Sequence, residues 1–195
     1  MRNDITETLE AMPDQSTRLA WHFVKGDTLR DGQPLPADGE RLTYTGELKM
    51  CSAGYHASKR IIDALTYAPG TTLCRVEHSE ECIEDTDKLV ARWRTVLWRM
   101  DTTEVLRRFA RECALSVVPL WDAPEVVGQY LTTGDESLRA AAEAAAMDAR
   151  AAAMDARVAR DARVAAWDVA RAAAWDAARA VQESLLLKLV EGARS

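Results

Sequence analysis

The C-terminal third of the chain constrains the fold more than any other part of the sequence, because it contains no glycine or proline between Gly134 and Gly192. Of the 41 residues from Ala140 to Ala180, 22 are alanine, the residue with the highest helix propensity. Asp135 precedes this segment as a candidate N-cap. The segment therefore predicts a long alanine-rich helical region over residues 135–195, formed by one long helix or by several helices, that packs or oligomerises.

Large apolar residues along this helix divide between two of its faces, at about 100° per residue. We expect both faces to be interfaces, because regularly spaced exposed tryptophans and methionines form an apolar patch that favours association. One face is expected to contact the chain's own domain, and the other a second copy or a partner protein. The first face carries Met147, Met154 and Val158, and the second carries Trp167, Trp175, Leu185 and Leu189.

The chain before this helix divides into a tail and a small domain. Residues 1–17 are polar and predict a flexible N-terminal tail. Residues 18–134 contain alternating strand patterns and capped helix patterns, which predict a small α+β domain of four or five strands and three helices. The predicted strands are 19–24, 41–51, 71–79 and 88–100, and the predicted helices are a short one at 61–67 and two longer ones at 101–114 and 122–134. Residues 25–40 are rich in Gly, Pro and Asp, so we expect a long loop or paired turns there.

Composition argues against several classes of protein. The formal net charge is -6, from 25 basic and 31 acidic residues, so the electrostatic attraction that drives nucleic-acid binding is missing. No uncharged apolar run approaches the roughly 18 residues that a membrane helix needs, and the first residues do not resemble a signal peptide. The four cysteines form no CxxC pair, so we expect neither a zinc site nor a disulfide framework. The sequence predicts a cytoplasmic protein without a metal or cofactor.

Catalytic motifs are missing from the sequence. The chain has no Walker loop, no GxGxxG and no HExxH, and its three histidines, His22, His56 and His78, are separate in sequence. The acidic residues between Glu77 and Asp87 fit no EF-hand spacing, so a solvated loop is the simpler interpretation. The sequence favours a non-enzymatic protein.

Three short segments nevertheless form a pattern: CSAGYHAS at 51–58, DALTYAPG at 63–70 and RVE at 75–77. They resemble a family of uncharacterised proteins from phages, prophages and bacteria that carry a C-x-x-G-[FLY]-H-A-[CS] signature. Some members of that family also have Trp-Asp-Ala-Ala repeats after the domain, as this chain does. The resemblance implies an accessory protein of mobile elements, with a role in countering a host defence system.

The order of several residues is also similar to ADP-ribosyltransferase folds. In those folds a histidine on an early strand, a second strand end and a tyrosine on the following helix surround the nicotinamide ring of NAD. This resemblance implies ligand-binding candidates His22, Tyr55, His56, Ser58, Tyr67 and Glu77. The chain departs from the pattern in its carboxylate: the catalytic glutamate of those folds lies on a later strand, where residues 88–100 offer none, and Glu77 comes too early.

Two functions follow as expectations. The first is a non-enzymatic interaction protein that binds a protein partner or small ligand through the α+β domain and self-associates through the long helix. The alternative is an ADP-ribosyltransferase-like enzyme or an NAD-type nucleotide-binding protein.

Overall fold

A computed structural model describes the backbone of residues 17–118, 123–157 and 168–194. It does not describe the side chains of Thr17, Val117, 150–157 and 168–177. The chain forms two compact units: the N-terminal unit is residues 1–69 with 73–100, and the C-terminal unit is residues 70–72 with 101–195.

The N-terminal unit contains two small sheets and one helix. A four-stranded sheet has the order β1-β4-β7-β2, and a three-stranded sheet has the order β3-β6-β5, with β2–β7, β3–β6 and β5–β6 antiparallel. The strands are β1 Thr17–Val24, β2 Arg41–Thr43, β3 Tyr55–Ala57, β4 Thr72–Ser79, β5 Cys82–Glu84, β6 Leu89–Ala91 and β7 Trp93–Asp101. Helix α1, Ile61–Thr66, follows β3 and contacts β1.

The core of this unit lies between the two sheets, because inward-facing residues of both contribute to one apolar cluster. Small and β-branched side chains predominate there, as expected where two sheets pack face to face. The buried members are Ala20, Val24, Leu35, Ala57, Cys74, Val76, Leu89, Ala91 and Val96.

The predicted strand over residues 88–100 is two strands in different sheets. Arg92 separates them: its backbone N–H bonds to Glu81 O (3.1 Å) and Ser79 Oγ (3.0 Å). Its guanidinium bonds to the carbonyls of Tyr44 and Gly46 and to the carboxylate of Glu81. These bonds turn the chain out of β6 and into β7, a change of direction that alternation alone does not reveal.

Other predicted elements agree with the structure or are shorter. Strands β1 and β4 and helix α1 lie where the pattern predicts them, whereas only Arg41–Thr43 of the 41–51 segment is a strand. The acidic run that we interpreted as a solvated loop contains β5, which pairs with β6 and keeps Ile83 and Glu84 exposed. Charged residues are typical of such an edge strand.

The C-terminal unit is helical, and its helices pack against one another in pairs. Helix α3 contacts both α2 and α4, and α5 contacts α2. Asp135 caps a short 3-10 turn, Glu136–Leu138, that continues into α4, so the predicted N-cap is confirmed. The helices are α2 Thr103–Val117, α3 Glu125–Thr133, α4 Arg139–Arg157 and α5 Asp168–Arg194.

The overall class is mixed α and β, as the sequence predicts. The alanine-rich region contributes two described helical segments, α4 and α5, and the residues between them lie outside the described part of the chain. Val158 and Trp167 lie there too, and the side chains of Met154 and Trp175 are likewise not described. Among the helices of the described ranges, none combines the length and hydropathy that a bilayer span requires.

Candidate functional site

A backbone bridge brings two of the predicted histidines to one place in the N-terminal unit. Trp21 on β1 and Ser58, just after β3, exchange two backbone hydrogen bonds of 2.8 and 2.9 Å. His22 follows Trp21, and His56 lies two residues before Ser58, so the two imidazoles are close enough for His56 to lower the pKa of His22. This bridge thereby places His22 and His56, which are 34 positions apart in the sequence, side by side.

The third member of this cluster is Arg94 on β7. Its side chain is only 3% exposed, and Nη1 donates a hydrogen bond to the carbonyl of His56 (3.0 Å). The guanidinium carbon lies 5.3 Å from the centre of the Tyr55 ring, within cation–π range. Its Nε–H is buried and has no hydrogen-bond acceptor among the described residues. We refer to His22, His56 and Arg94 as the Arg94 cluster.

No carboxylate of the described residues lies within 4.0 Å of Arg94. The Cys74 thiol is close, but burial raises the pKa of this thiol to about 11, so it is protonated at neutral pH and does not balance the charge. Burial also lowers the pKa of Arg94 to about 10. Because that value is still above neutral pH, the core holds a guanidinium cation without an ion-pair partner among the described residues.

Both histidines of the cluster are neutral at physiological pH. Burial lowers the pKa of His22 well below its usual value, and the positive charge of Arg94 adds to the effect. Burial also lowers the pKa of His56, and its Nε2 accepts a hydrogen bond from the Cys51 backbone N–H (2.8 Å). Since Nε2 is the acceptor, the neutral ring carries its proton on Nδ1.

An open depression of about 420 Å³ lies beside the cluster, also within the N-terminal unit. Two of its walls contact Arg94: Tyr55 through its ring, and Leu42 as the cross-strand partner of Arg94 between β2 and β7. The lining mixes polar and apolar groups, and its charged members are the carboxylates of Asp31 and Glu40; Leu29, Pro34, Leu35 and Pro36 contribute to the apolar surface. We call this depression the Tyr55 pocket.

Residues 25–40 form the outer wall of the Tyr55 pocket and are held in place by Arg99 on β7. The Arg99 guanidinium donates two hydrogen bonds to Asp38 Oδ1 (2.8 and 2.6 Å) and one to the carbonyl of Pro36. Backbone bonds from Leu35 N to Asp27 O (2.9 Å) and from Gly39 N to Val96 O (2.8 Å) fix the same segment. The paired turns predicted from sequence are thus a preformed wall.

The remaining sequence-predicted site residues lie elsewhere. Ser58 is buried and takes part through its backbone bridge. Tyr67 is half exposed at the surface, where its hydroxyl donates to Asp87 Oδ2 (2.6 Å) and Lys88 Nζ lies 5.0 Å from its ring. Glu77 lies on the face of β4 opposite the inward-facing Val76 and His78, because successive strand residues point to opposite faces.

Arg94 is the site residue that sequence reasoning missed. Its signal is positional: on β7 it stands two residues before Val96, so both point toward the core. An arginine at an inward position of a buried strand is unusual, and this could have drawn attention to it. The strand boundary at Arg92 concealed this position, because the sequence predicts one continuous strand through it.

The arrangement is suited to binding. It places the buried cation Arg94 against Tyr55 and Leu42, two residues that line an open pocket, whereas the lining includes neither histidine of the cluster nor Arg94 itself. In the described part of the chain, no three His, Cys, Asp or Glu side chains are grouped as metal ligands.

Comparison with known protein families gives a match over part of the chain. Residues 23–108 match the model of a domain of unknown function, DUF7666. The DUF7666 segment includes Tyr55, His56 and Arg94, and it begins one residue after His22.

Comparison with curated proteins gives a more limited match. The chain is 33% identical over 91 residues to the protein named "Hydroxylysine kinase" of Danio rerio, a match that covers 44% of this chain and 26% of that protein. The chain thus spans about a quarter of the length of this curated relative. No solved structure matches the chain.

Proposed function

We propose that the N-terminal unit is a non-enzymatic binding module that takes a small ligand in the Tyr55 pocket. The observation that supports this most directly is Arg94, a buried guanidinium with an unused Nε–H next to the pocket wall. Burying an unpaired charge costs several kcal/mol. The retention of such a charge beside an open pocket therefore favours a functional role for it. The preformed wall of residues 25–40 lowers the cost of ordering the site on binding.

Nuclear magnetic resonance of the full chain tests this proposal. A set of small aromatic molecules with positive, zero and negative charge is titrated into the ¹⁵N-labelled protein. We expect at least one of them to shift the amide signals of Tyr55 and of residues 29–42, with little change elsewhere.

Two matched variants place the site. Leu42→Glu puts a charge on the pocket wall and is expected to abolish binding, whereas Leu19→Glu changes an apolar residue of β1 that is 51% exposed and is expected to bind normally. If no molecule of any charge perturbs the pocket signals, the binding module proposal is wrong.

A second candidate is an ADP-ribosyltransferase-like enzyme or NAD-type nucleotide binder. The close approach of His22 and His56 favours it, since two polar groups beside an aromatic wall suit a planar amide ring. The positions of Tyr67 and Glu77, away from this cluster, argue against the transferase version. Calorimetric titration with NAD distinguishes the candidates. If the wild type gives no heat of binding with NAD, and His56→Ala keeps the function of the wild type, the transferase candidate is wrong.

We also propose that the alanine-rich region mediates self-association or docking to a partner protein. In support, Met147 on α4 and Val181 on α5 are 65% and 69% exposed, so each leaves apolar surface uncovered. Size-exclusion chromatography with light scattering should give an oligomer, and Met147→Glu should shift it toward monomer. A wild-type monomer at micromolar concentration would contradict self-association.

A role in phage–host conflict is a further part of the proposal, supported by the resemblance of residues 51–58 and 63–70 to phage and prophage proteins. A pull-down from bacterial lysate with the full chain, compared with Met147→Glu, would test it. Capture of a defence component by the wild type is the expected result, and the absence of such a component would remove this role.

A further inference from the structure

We infer that the ligand of the Tyr55 pocket is a small organic anion whose carboxylate or phosphate group is held by the charge of Arg94. This inference rests on the proposed binding function and names the chemical class of its ligand.

The first step is the imbalance of charge around Arg94. Among the described residues its polar contact is one hydrogen bond to the His56 carbonyl, and its aromatic contact is Tyr55. Asp31 is the carboxylate that acts on it electrostatically, from beyond ion-pair distance. A buried cation with one unused donor is complementary to an anion, and anions bind a guanidinium through charge-assisted hydrogen bonds.

The second step is that the surrounding groups add further positive charge. His56 is influenced by Arg30, Arg94 and Lys88, all cations, and by the Cys51 N–H. His22 is influenced by Arg94 and His56. Among the described residues, the charged groups that act most strongly on the two histidines are the cations Arg30, Lys88 and Arg94, and these attract an arriving anion.

The acidic residues of the pocket do not reverse this balance. Asp31 Oδ1 accepts a hydrogen bond from the Gln33 backbone N–H (3.1 Å), and Glu40 Oε2 accepts one from the Ala37 N–H (3.1 Å). Both residues are exposed, so water and salt screen their repulsion. The attraction to Arg94 acts through the protein interior, where screening is weaker.

Access comes through the two pocket walls that touch Arg94. An anion placed against Tyr55 and Leu42 lies one side chain away from the guanidinium. Tyr55 is half-buried, and its ring is the pocket wall that lies against the guanidinium. The apolar remainder of the lining then packs against the carbon skeleton of the ligand.

Four probes of one ring size test the inference on the full chain at low ionic strength: phenyl phosphate, benzoate, neutral benzamide and cationic benzylamine. We expect at least one anion to bind 10-fold or more tightly than benzamide, and benzylamine to bind most weakly. Comparison of the first two probes shows whether phosphate or carboxylate is preferred.

Arg94→Gln should remove the preference for anions, whereas Arg41→Gln, which removes an exposed cation stacked on Trp93, should retain it. If Arg94→Gln fails to fold, the wild-type comparison of benzoate with benzamide still decides the question. Benzamide or benzylamine binding as tightly as the anions would overturn the inference and leave the binding module intact. Failure of all four probes to perturb residues 29–42 and 55 would count against the inference and the binding module together.

Discussion

At the scale of single residues, burial sets the chemistry of this protein. The three histidines all have lowered pKa values, with burial as the largest cause in each. His78 is 1% exposed, its Nδ1 pairs with the Ser79 carbonyl at 2.8 Å, and its Nε2 has no hydrogen-bond partner in the described part of the chain. Each ring is therefore more basic in the unfolded chain than in the folded one.

These shifts predict that stability falls in mild acid. Well above pH 6.5, the usual pKa of histidine, the rings are neutral in both states and contribute nothing to the pH dependence. Below it the unfolded chain binds protons that the folded chain resists, so the free energy of unfolding drops by up to about 1.4 kcal/mol per pH unit per histidine. Urea unfolding at pH 7.5 and 5.5 measures this drop, and His78→Leu should make it shallower. Equal stability at both values would contradict the prediction.

Gly54, within the 51–58 segment, has a steric role that substitution can expose. Its φ of +103° lies where L-residues are strained, and an added Cβ would meet Val90 Cγ2 at 2.6 Å and Leu48 Cδ2 at 2.8 Å. We expect Gly54→Ala to lower the free energy of unfolding by about 2–4 kcal/mol. Gly26→Ala is the control: its φ is +58° with open space around the new Cβ, so about 1 kcal/mol is expected. Equal losses in urea unfolding would show that the contact is unimportant.

At the scale of elements, helix starts depend on side chains just outside the helix. The spacing of Asp101 and Glu104 is that of a capping box, but helix α2 begins at Thr103, after Thr102. Asp101 still caps it: Oδ1 accepts from the Thr103 N–H (3.0 Å), the Thr103 hydroxyl (2.7 Å) and the Thr71 hydroxyl (3.0 Å). Glu104 instead pairs with Arg107 on the surface.

We therefore expect Asp101→Ala to lower the free energy of unfolding by about 1–2 kcal/mol, the usual cost of a lost N-cap. Glu104→Ala breaks an exposed ion pair and should change it by less than about 0.5 kcal/mol. Thermal unfolding followed by circular dichroism at 222 nm compares the two variants. A larger loss of stability for Glu104→Ala than for Asp101→Ala would contradict this prediction and favour a capping box that depends on Glu104.

At the scale of the whole molecule, the large apolar residues of the alanine-rich region differ in how deeply they are buried. Of the apolar residues predicted for its second face, Leu185 and Leu189 are half-buried on α5, and their neighbours Leu186 and Val190 are almost fully buried. Helix α5 contacts α2, so this end of the region belongs to the packed interior of the C-terminal unit. Met147 on α4 is mostly exposed.

This packing predicts a large cost for Leu186→Ala, about 2–5 kcal/mol in the free energy of unfolding, because a fully buried leucine leaves a cavity. Val181→Ala on the same helix removes a side chain that is 69% exposed and should cost less than about 0.5 kcal/mol. Chemical denaturation of both variants gives the comparison. Similar losses of stability for the two variants would mean that the packing of α5 does not depend on the burial of Leu186.

The sequence by itself determined the features that arise from neighbouring residues. The strands around Ala20 and Cys74, the helix after Arg60, the turn-rich 25–40 segment and the cap at Asp135 all follow from local periodicity and turn chemistry. These features depend on residues within a few positions of one another, which a pattern can report.

Only the tertiary structure decided which distant residues meet. The bridge between Trp21 and Ser58, the turn at Arg92 and the inward position of Arg94 depend on hydrogen bonds between segments tens of residues apart. The same contacts placed His22 and His56 beside Arg94 and left Tyr67 at the surface with Asp87. Sequence order suggested the histidines, but the buried cation that gives the pocket its character came from long-range pairing, which no local period encodes.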